Sequence, residues 1–200
     1  MTPKLKMMPE LKLDLTPSQT VGPFFHDALL AEDRSELIPP EHPEAIRIEG
    51  TVYDGAGEVV PDAMVEIWQA NRAGRYNDPA DDREDLPLDE NFSGFGRSKT
   101  VDGGRFSFTT VKPGPVPGPD GRMQTPHIML SVFARGLLKR VVTRIYFPDE
   151  GEANAADPLL SSIEDPELRE TLIAHDEGGI LRFDIHLQGE KQTAFFEFQR

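Results

Sequence analysis

The chain has 200 residues, no cysteine, and 35 acidic against 21 basic side chains, for a net charge of -14. This length fits one large domain or two small ones, and the missing thiol excludes a disulfide framework, thiolate metal sites and a cysteine nucleophile. The acidic balance argues against nucleic acid, whose phosphates attract basic surfaces.

Residues 1–15 carry lysines but neither a continuous apolar run nor a small-residue cleavage pattern, so no signal peptide is expected. No stretch approaches ~18 apolar residues, so no transmembrane helix is expected either, and the chain reads as cytoplasmic. The 18 prolines and 17 glycines are spread among apolar segments, as strand punctuation rather than as a disordered tail.

Residues 1–45 read as an N-terminal arm carrying a turn, and 46–200 as the main domain. Within the arm, 16–25 (TPSQTVGPFF) is a Pro/Gly turn ending in two phenylalanines, apolar anchors for a core edge or for a neighbour. The first strand is expected at 46–53, with Ile46, Ile48, Gly50 and Val52 on one face, closed by an Asp-Gly turn. A second, 63–68, turns Ala63, Val65 and Ile67 one way and Trp68 the other, toward a loop or partner. Residues 69–96 read as one long loop, and such loops are often functional. Its acidic cluster of Asp81, Asp82, Glu84 and Asp85 reads as a solvated face, because no calcium-loop pattern is present. Residues 105–111 alternate as a half-exposed strand, and 112–121 (KPGPVPGPDG) form a stiff loop that cannot be a central strand.

The stretch 125–136 (TPHIMLSVFARG) reads as a buried strand with His127, Met129 and Ser131 on one face. Further strands are expected at 141–147, 180–187 and 194–198. A short helix is expected at 166–174, with Asp165 as N-cap and Pro166 in the first helical position. The expected fold is therefore all-β: an antiparallel β-sandwich with long Pro/Gly-rich loops and one short helix.

The five histidines, His26, His42, His127, His175 and His186, show no metal-motif spacing on one element. Taken alone, His127 reads as a hydrogen-bonded structural histidine. Arg135 reads equally as a carboxylate clamp or as one half of an ordinary salt bridge.

Several stretches together resemble the intradiol ring-cleavage dioxygenase family over nearly the whole chain. They are TPSQTVGPFF, VEIWQANRAGRY at 65–76, NFSGFGRSKT at 91–100, TVKPGPVP at 110–117, TPHIMLSVFARGLLKRVVTRIYF at 125–147 and LRFDIHLQGEKQTAFFEF at 181–198. The resemblance implies a ferric site of two tyrosines and two histidines. Of those positions this chain retains Tyr76 and His127, but carries Val116 and Met129 at the others. Valine has no donor atom, and a thioether suits ferric iron poorly.

The chain is therefore similar to the non-iron alpha subunit of heteromeric members. The resemblance implies that Fe(3+) is bound by a homologous beta subunit, in an oligomer of alpha-beta pairs, and that this chain binds no metal. It also implies that Thr20, Pro23 and Arg135 line the partner's substrate pocket. The pair would open protocatechuate, a small aromatic acid, with O2 to 3-carboxy-cis,cis-muconate. Two other readings are a self-contained intradiol enzyme with an altered metal site and a non-enzymatic β-sandwich ligand-binding module.

Overall fold

A computed structural model describes residues 24–32, 34–101 and 103–197. Thr20 and Pro23 lie outside the described residues. Helix α1 (Phe24–Leu29) opens the described chain and buries Phe25. The strands that follow are β1 (Ala45–Tyr53), β2 (Met64–Trp68), β3 (Phe95–Lys99), β4 (Arg105–Val111), β5 (Val116–Pro117), β6 (Met123–Gln124), β7 (His127–Phe133) and β8 (Val141–Tyr146). Then come α2 (Gly151–Ala156), α3 (Pro166–Glu170), β9 (His175–Asp176), β10 (Ile180–Arg182) and β11 (Ile185–His186).

Two sheets face each other, as the alternation of apolar residues requires. One has the order β3-β2-β7-β8 and is antiparallel throughout. In the other, β1 pairs with β4 antiparallel on one edge and with β10 and β11 parallel on the opposite edge. The inward faces meet in one core, with Ile48, Val52, Phe106, Phe108 and Ile185 from one sheet and Val65, Ile67, Ile128, Leu130, Val132 and Ile145 from the other. Burial of this size drives the fold, at roughly 25 cal/mol per Å² of apolar surface removed from water. A second cluster, Tyr146, Leu160, Leu172 and Ala194, covers part of the outer face of the β8 edge.

Several local outcomes differ from the sequence expectations. The long loop ends in β3, whose central residue Arg97 pairs with Glu66 of β2 by a salt bridge rather than through apolar alternation. The second half of β4 is buried on both faces rather than half-exposed, because Thr109 and Thr110 are covered as well as Phe108 and Val111.

The expected strand 180–187 is interrupted at Phe183–Asp184. There the Asp184 side chain, not a backbone carbonyl, accepts from Thr51 N at 2.9 Å. The expected strand 194–198 does not form over 194–197, and Phe198 lies outside the described residues. Side-chain hydroxyls hold that segment together with a backbone bond, Phe196 N to Val142 O at 2.8 Å. Ala194 N donates to Thr171 Oγ1 at 3.0 Å, and Thr143 Oγ1 donates to Ala194 O at 2.7 Å.

The expected helix forms with Asp165 as its cap, accepting from Glu167 N and Leu168 N. It ends at Glu170, after which Thr171 and Leu172 turn the chain onto the free edge of β8 at Ile173. Tyr146 N donates to Leu172 O at 2.8 Å, and Ala174 N donates to Tyr146 O at 3.0 Å. The stiff loop 112–121 contains only the two-residue β5, paired with β6 away from both main sheets.

Candidate functional site

The outer face of the β2-β7-β8 sheet carries a row of side chains fixed by strand register. Trp68 is opposite Met129, and Met129 is opposite Arg144. One step along, His127 is opposite Tyr146. Directly opposed residues share a face with Cβ atoms about 5 Å apart, so these five side chains form one patch. The sequence places His127, Met129 and Ser131 on one face, and the register confirms it.

Two loops then close over the patch. Tyr76 stacks on Trp68, with centroids 5.7 Å apart and planes at 12°, so Trp68 does pack on a loop, as expected. The loop holding Tyr76 ties itself together. Asn71 Oδ1 accepts from Ala73 N and Arg75 N, and Asp81 accepts from Tyr76 N at 2.7 Å and from Arg83. Asp81 is thus a structural anchor, while Asp82, Glu84 and Asp85 are exposed, as the sequence suggests. The second loop presses in where Gly114 N and Gly74 N both donate to Asn71 O at 2.9 Å. That contact delivers buried Val116 beside Tyr76, where both line a cleft of about 570 Å³ together with Trp68, Pro117, Asp78 and Arg83.

His127 is 5 % exposed, and its Nδ1 lies 2.7 Å from Thr125 O. A carbonyl only accepts, so Nδ1 carries the proton and Nε2 keeps its lone pair. Burial, reinforced by the positive charge of Arg144, lowers the His127 pKa from 6.5 to about 4. The unfolded chain takes up this proton first as pH falls, so stability is full above about pH 6.5 and is lost toward pH 4. We expect His127→Asn to lose about 2–3 kcal/mol less than the parent when urea unfolding at pH 7 is compared with pH 4.5. Parallel pH curves for the two proteins would contradict this assignment. Burial likewise pushes the Tyr76 phenol above its usual range, against the opposing pull of Arg144.

Arg144 is the group that sequence reasoning missed. It is 7 % exposed, donates from Nη1 to Tyr146 Oη at 3.2 Å, and its buried Nε has no hydrogen-bond partner among the described residues. Tyr146 Oη in turn donates to Asp157 Oδ1 at 3.2 Å. The available signal was an arginine inside the apolar run VVTRIY, two residues before a tyrosine.

The structure brings Tyr76, Val116, His127 and Met129 to one patch and leaves Arg135 elsewhere. β7 spans about 20 Å from His127 to Phe133, and Arg135 lies beyond its far end. There its Nε is 3.1 Å from Asp62 Oδ2, and its side chain is 75 % exposed.

A family profile described as Dioxygenase matches residues 21–189. The protocatechuate 3,4-dioxygenase alpha chain of Pseudomonas putida is 42% identical over 207 residues, covering 96% of this chain and 100% of that one. The chain belongs to the intradiol dioxygenase family. A beta chain of the same enzyme name, from Burkholderia cepacia, is 37% identical over 183 residues, covering 90% of this chain and 72% of that one. Among solved structures, the dioxygenase domain of a dioxygenase carbohydrate-binding protein fusion from Streptomyces sp. SirexAA-E has a TM-score of 0.55 at 24% identity, covering 88% of this chain and 99% of that one. That likeness shows the shared fold.

The family's ferric ion does not fit the donors present. Tyr76 and His127 offer one oxygen and one nitrogen. Val116 offers only carbon, Met129 a soft sulfur, and Arg144 brings a cation to the same face. No group of three or more His, Asp or Glu able to hold a metal occurs among the described residues. No helix of the described residues is long and apolar enough to cross a membrane.

Proposed function

We propose that the chain is the non-iron alpha subunit of a cytoplasmic protocatechuate 3,4-dioxygenase-type heteromer, built of pairs with a homologous beta subunit that holds the Fe(3+). The observation that carries this reading is the exchange of two donor positions, to Val116 and Met129, in a chain similar along its whole length to an alpha chain. The complex would open protocatechuate with O2 to 3-carboxy-cis,cis-muconate. In it this chain contributes binding and electrostatics.

Arg135 serves that role toward a neighbour and not toward its own cleft. It projects from the opposite end of β7, and its one carboxylate partner among the described residues leaves most of the guanidinium open to water. A positive potential at that surface favours an anionic aromatic acid in an adjoining pocket. Thr20 and Pro23, outside the described residues, would shape the same pocket wall.

Oxygen uptake on protocatechuate tests the proposal, using this chain alone, the beta partner alone and their mixture. Activity restricted to the mixture is expected, and uptake by the lone chain would overturn the reading. In the mixture, Arg135→Ala is expected to raise KM for protocatechuate about 10-fold at unchanged iron content. An unchanged KM would remove Arg135 from the pocket.

A further inference from the structure

We infer that Arg144 closes this site to metal by charge: its guanidinium takes the electrostatic place of the cation, so that restoring the two lost donors alone would not restore iron binding. The inference rests on the family reading of the ligand positions, and it adds a third determinant beyond Val116 and Met129.

Met129 and Arg144 are direct cross-strand neighbours, as are His127 and Tyr146. Both pairs project from the same outer face as Trp68, on which Tyr76 stacks. The cation is therefore fixed beside His127, Met129 and Tyr76 rather than at a distant surface. It is held there by the hydrogen bond to Tyr146 Oη, which Asp157 anchors in turn. Its field reaches both retained ligand residues, favouring an uncharged His127 and opposing the burial that raises Tyr76.

A buried guanidinium cannot shed its proton. It has no carboxylate within ion-pair distance among the described residues. A trivalent cation entering beside it would meet a like charge in a medium of low dielectric, offset only by Asp157 across the Tyr146 hydroxyl. Among the acidic residues lining the cleft, Asp81 is already engaged by Arg83 and by Tyr76 N.

The rest of the patch is nevertheless preorganised for a ligand role. His127 holds its proton on Nδ1 toward Thr125 O and leaves Nε2 with a lone pair, which is how metal-binding histidines are oriented by their outer partners. Adding a phenolate at 116 and an imidazole at 129 would complete the donors. Only the charge at 144 would remain wrong.

The test compares iron per chain, by elemental analysis after loading with ferric iron and removal of excess. The proteins are the parent, Val116→Tyr/Met129→His, and that double variant with Arg144→Gln or Arg144→Lys. Circular dichroism and urea unfolding check that each is folded. The expected result is iron near parent background in the double and the lysine triple variant, and occupancy more than ~10-fold higher in the glutamine triple variant.

Equal filling of the double and glutamine triple variants would overturn the inference. So would a folded glutamine triple variant that stays empty, or a lysine triple variant that fills as well as the glutamine one. Stoichiometric iron in the parent would instead contradict the proposed function, so the two failures are distinguishable.

Discussion

Replacing Asp157 by alanine is expected to destabilise the protein by about 3–5 kcal/mol. Asp157 is 1 % exposed and collects four donors: Thr125 N at 2.8 Å, Leu159 N at 2.9 Å, Leu160 N at 3.0 Å and Tyr146 Oη at 3.2 Å. Alanine leaves all four without that acceptor in a place closed to water, and each orphaned buried group costs about 1–3 kcal/mol before relaxation. The loss also reaches the functional patch. Thr125 leads into β7 and accepts the His127 proton, while Tyr146 Oη is the support of Arg144. Urea unfolding at pH 7 measures the effect. Asp157→Asn, which keeps one acceptor oxygen, should lose less than alanine. A loss below about 1 kcal/mol for alanine would mean that water replaces the carboxylate, and that the described enclosure is wrong.

Gly74→Ala carries the second large effect, at about 2–4 kcal/mol. Gly74 has φ of +83°, which L residues rarely adopt, and a Cβ there would fall inside van der Waals contact with the backbone oxygen of Pro115. That backbone cannot rotate away as a side chain would, so the loop carrying Val116 must lift from the loop carrying Tyr76. Gly57 provides the control. It has a similar φ of +81° but open space around its Cβ, so Gly57→Ala should show only the conformational cost of about 1 kcal/mol. The chain has one tryptophan, and Trp68 stacks on Tyr76. Its fluorescence should therefore shift in Gly74→Ala and stay unchanged in Gly57→Ala. Equal stability losses in the two variants would show that the close approach to Pro115 is not tight.

Much of this architecture was legible in the sequence because alternation maps directly onto a half-buried strand. The inward set Ile48 and Val52, the set Val65 and Ile67, and the pair Phe106 and Phe108 all follow from period two. The cap at Asp165 was legible for an equally local reason, since a carboxylate before a proline satisfies free helix amides. β3 was hidden because its stabilising contacts are cross-strand. Arg97 is meaningful only beside Glu66, and no periodicity within 95–99 announces that pairing. The broken strand at Asp184 and the segment at 194–197 were hidden likewise, because side chains there take over part of the backbone pairing.

At the site, the ligand positions Tyr76, Val116, His127 and Met129 came from family resemblance, and the fold brings them together. Arg144 did not emerge, because its meaning depends on the register of β8 against β7. The connection from 134 to 140 does not fix that register in the sequence. A shift of one residue would turn the guanidinium to the opposite face. The N-terminal pocket residues Thr20 and Pro23 rest on the resemblance, and Arg135 gains from the structure only its exposure and its partner Asp62.

The central claim is that catalytic iron belongs to a partner and not to this chain. Its most direct test is iron per chain in the protein expressed and purified alone in iron-replete medium, set beside the complex with its beta partner. The account predicts background iron in the lone chain and one iron per pair in the complex. Stoichiometric ferric iron in the lone, folded chain would contradict it, and would mean that Tyr76 and His127 still belong to a working metal site.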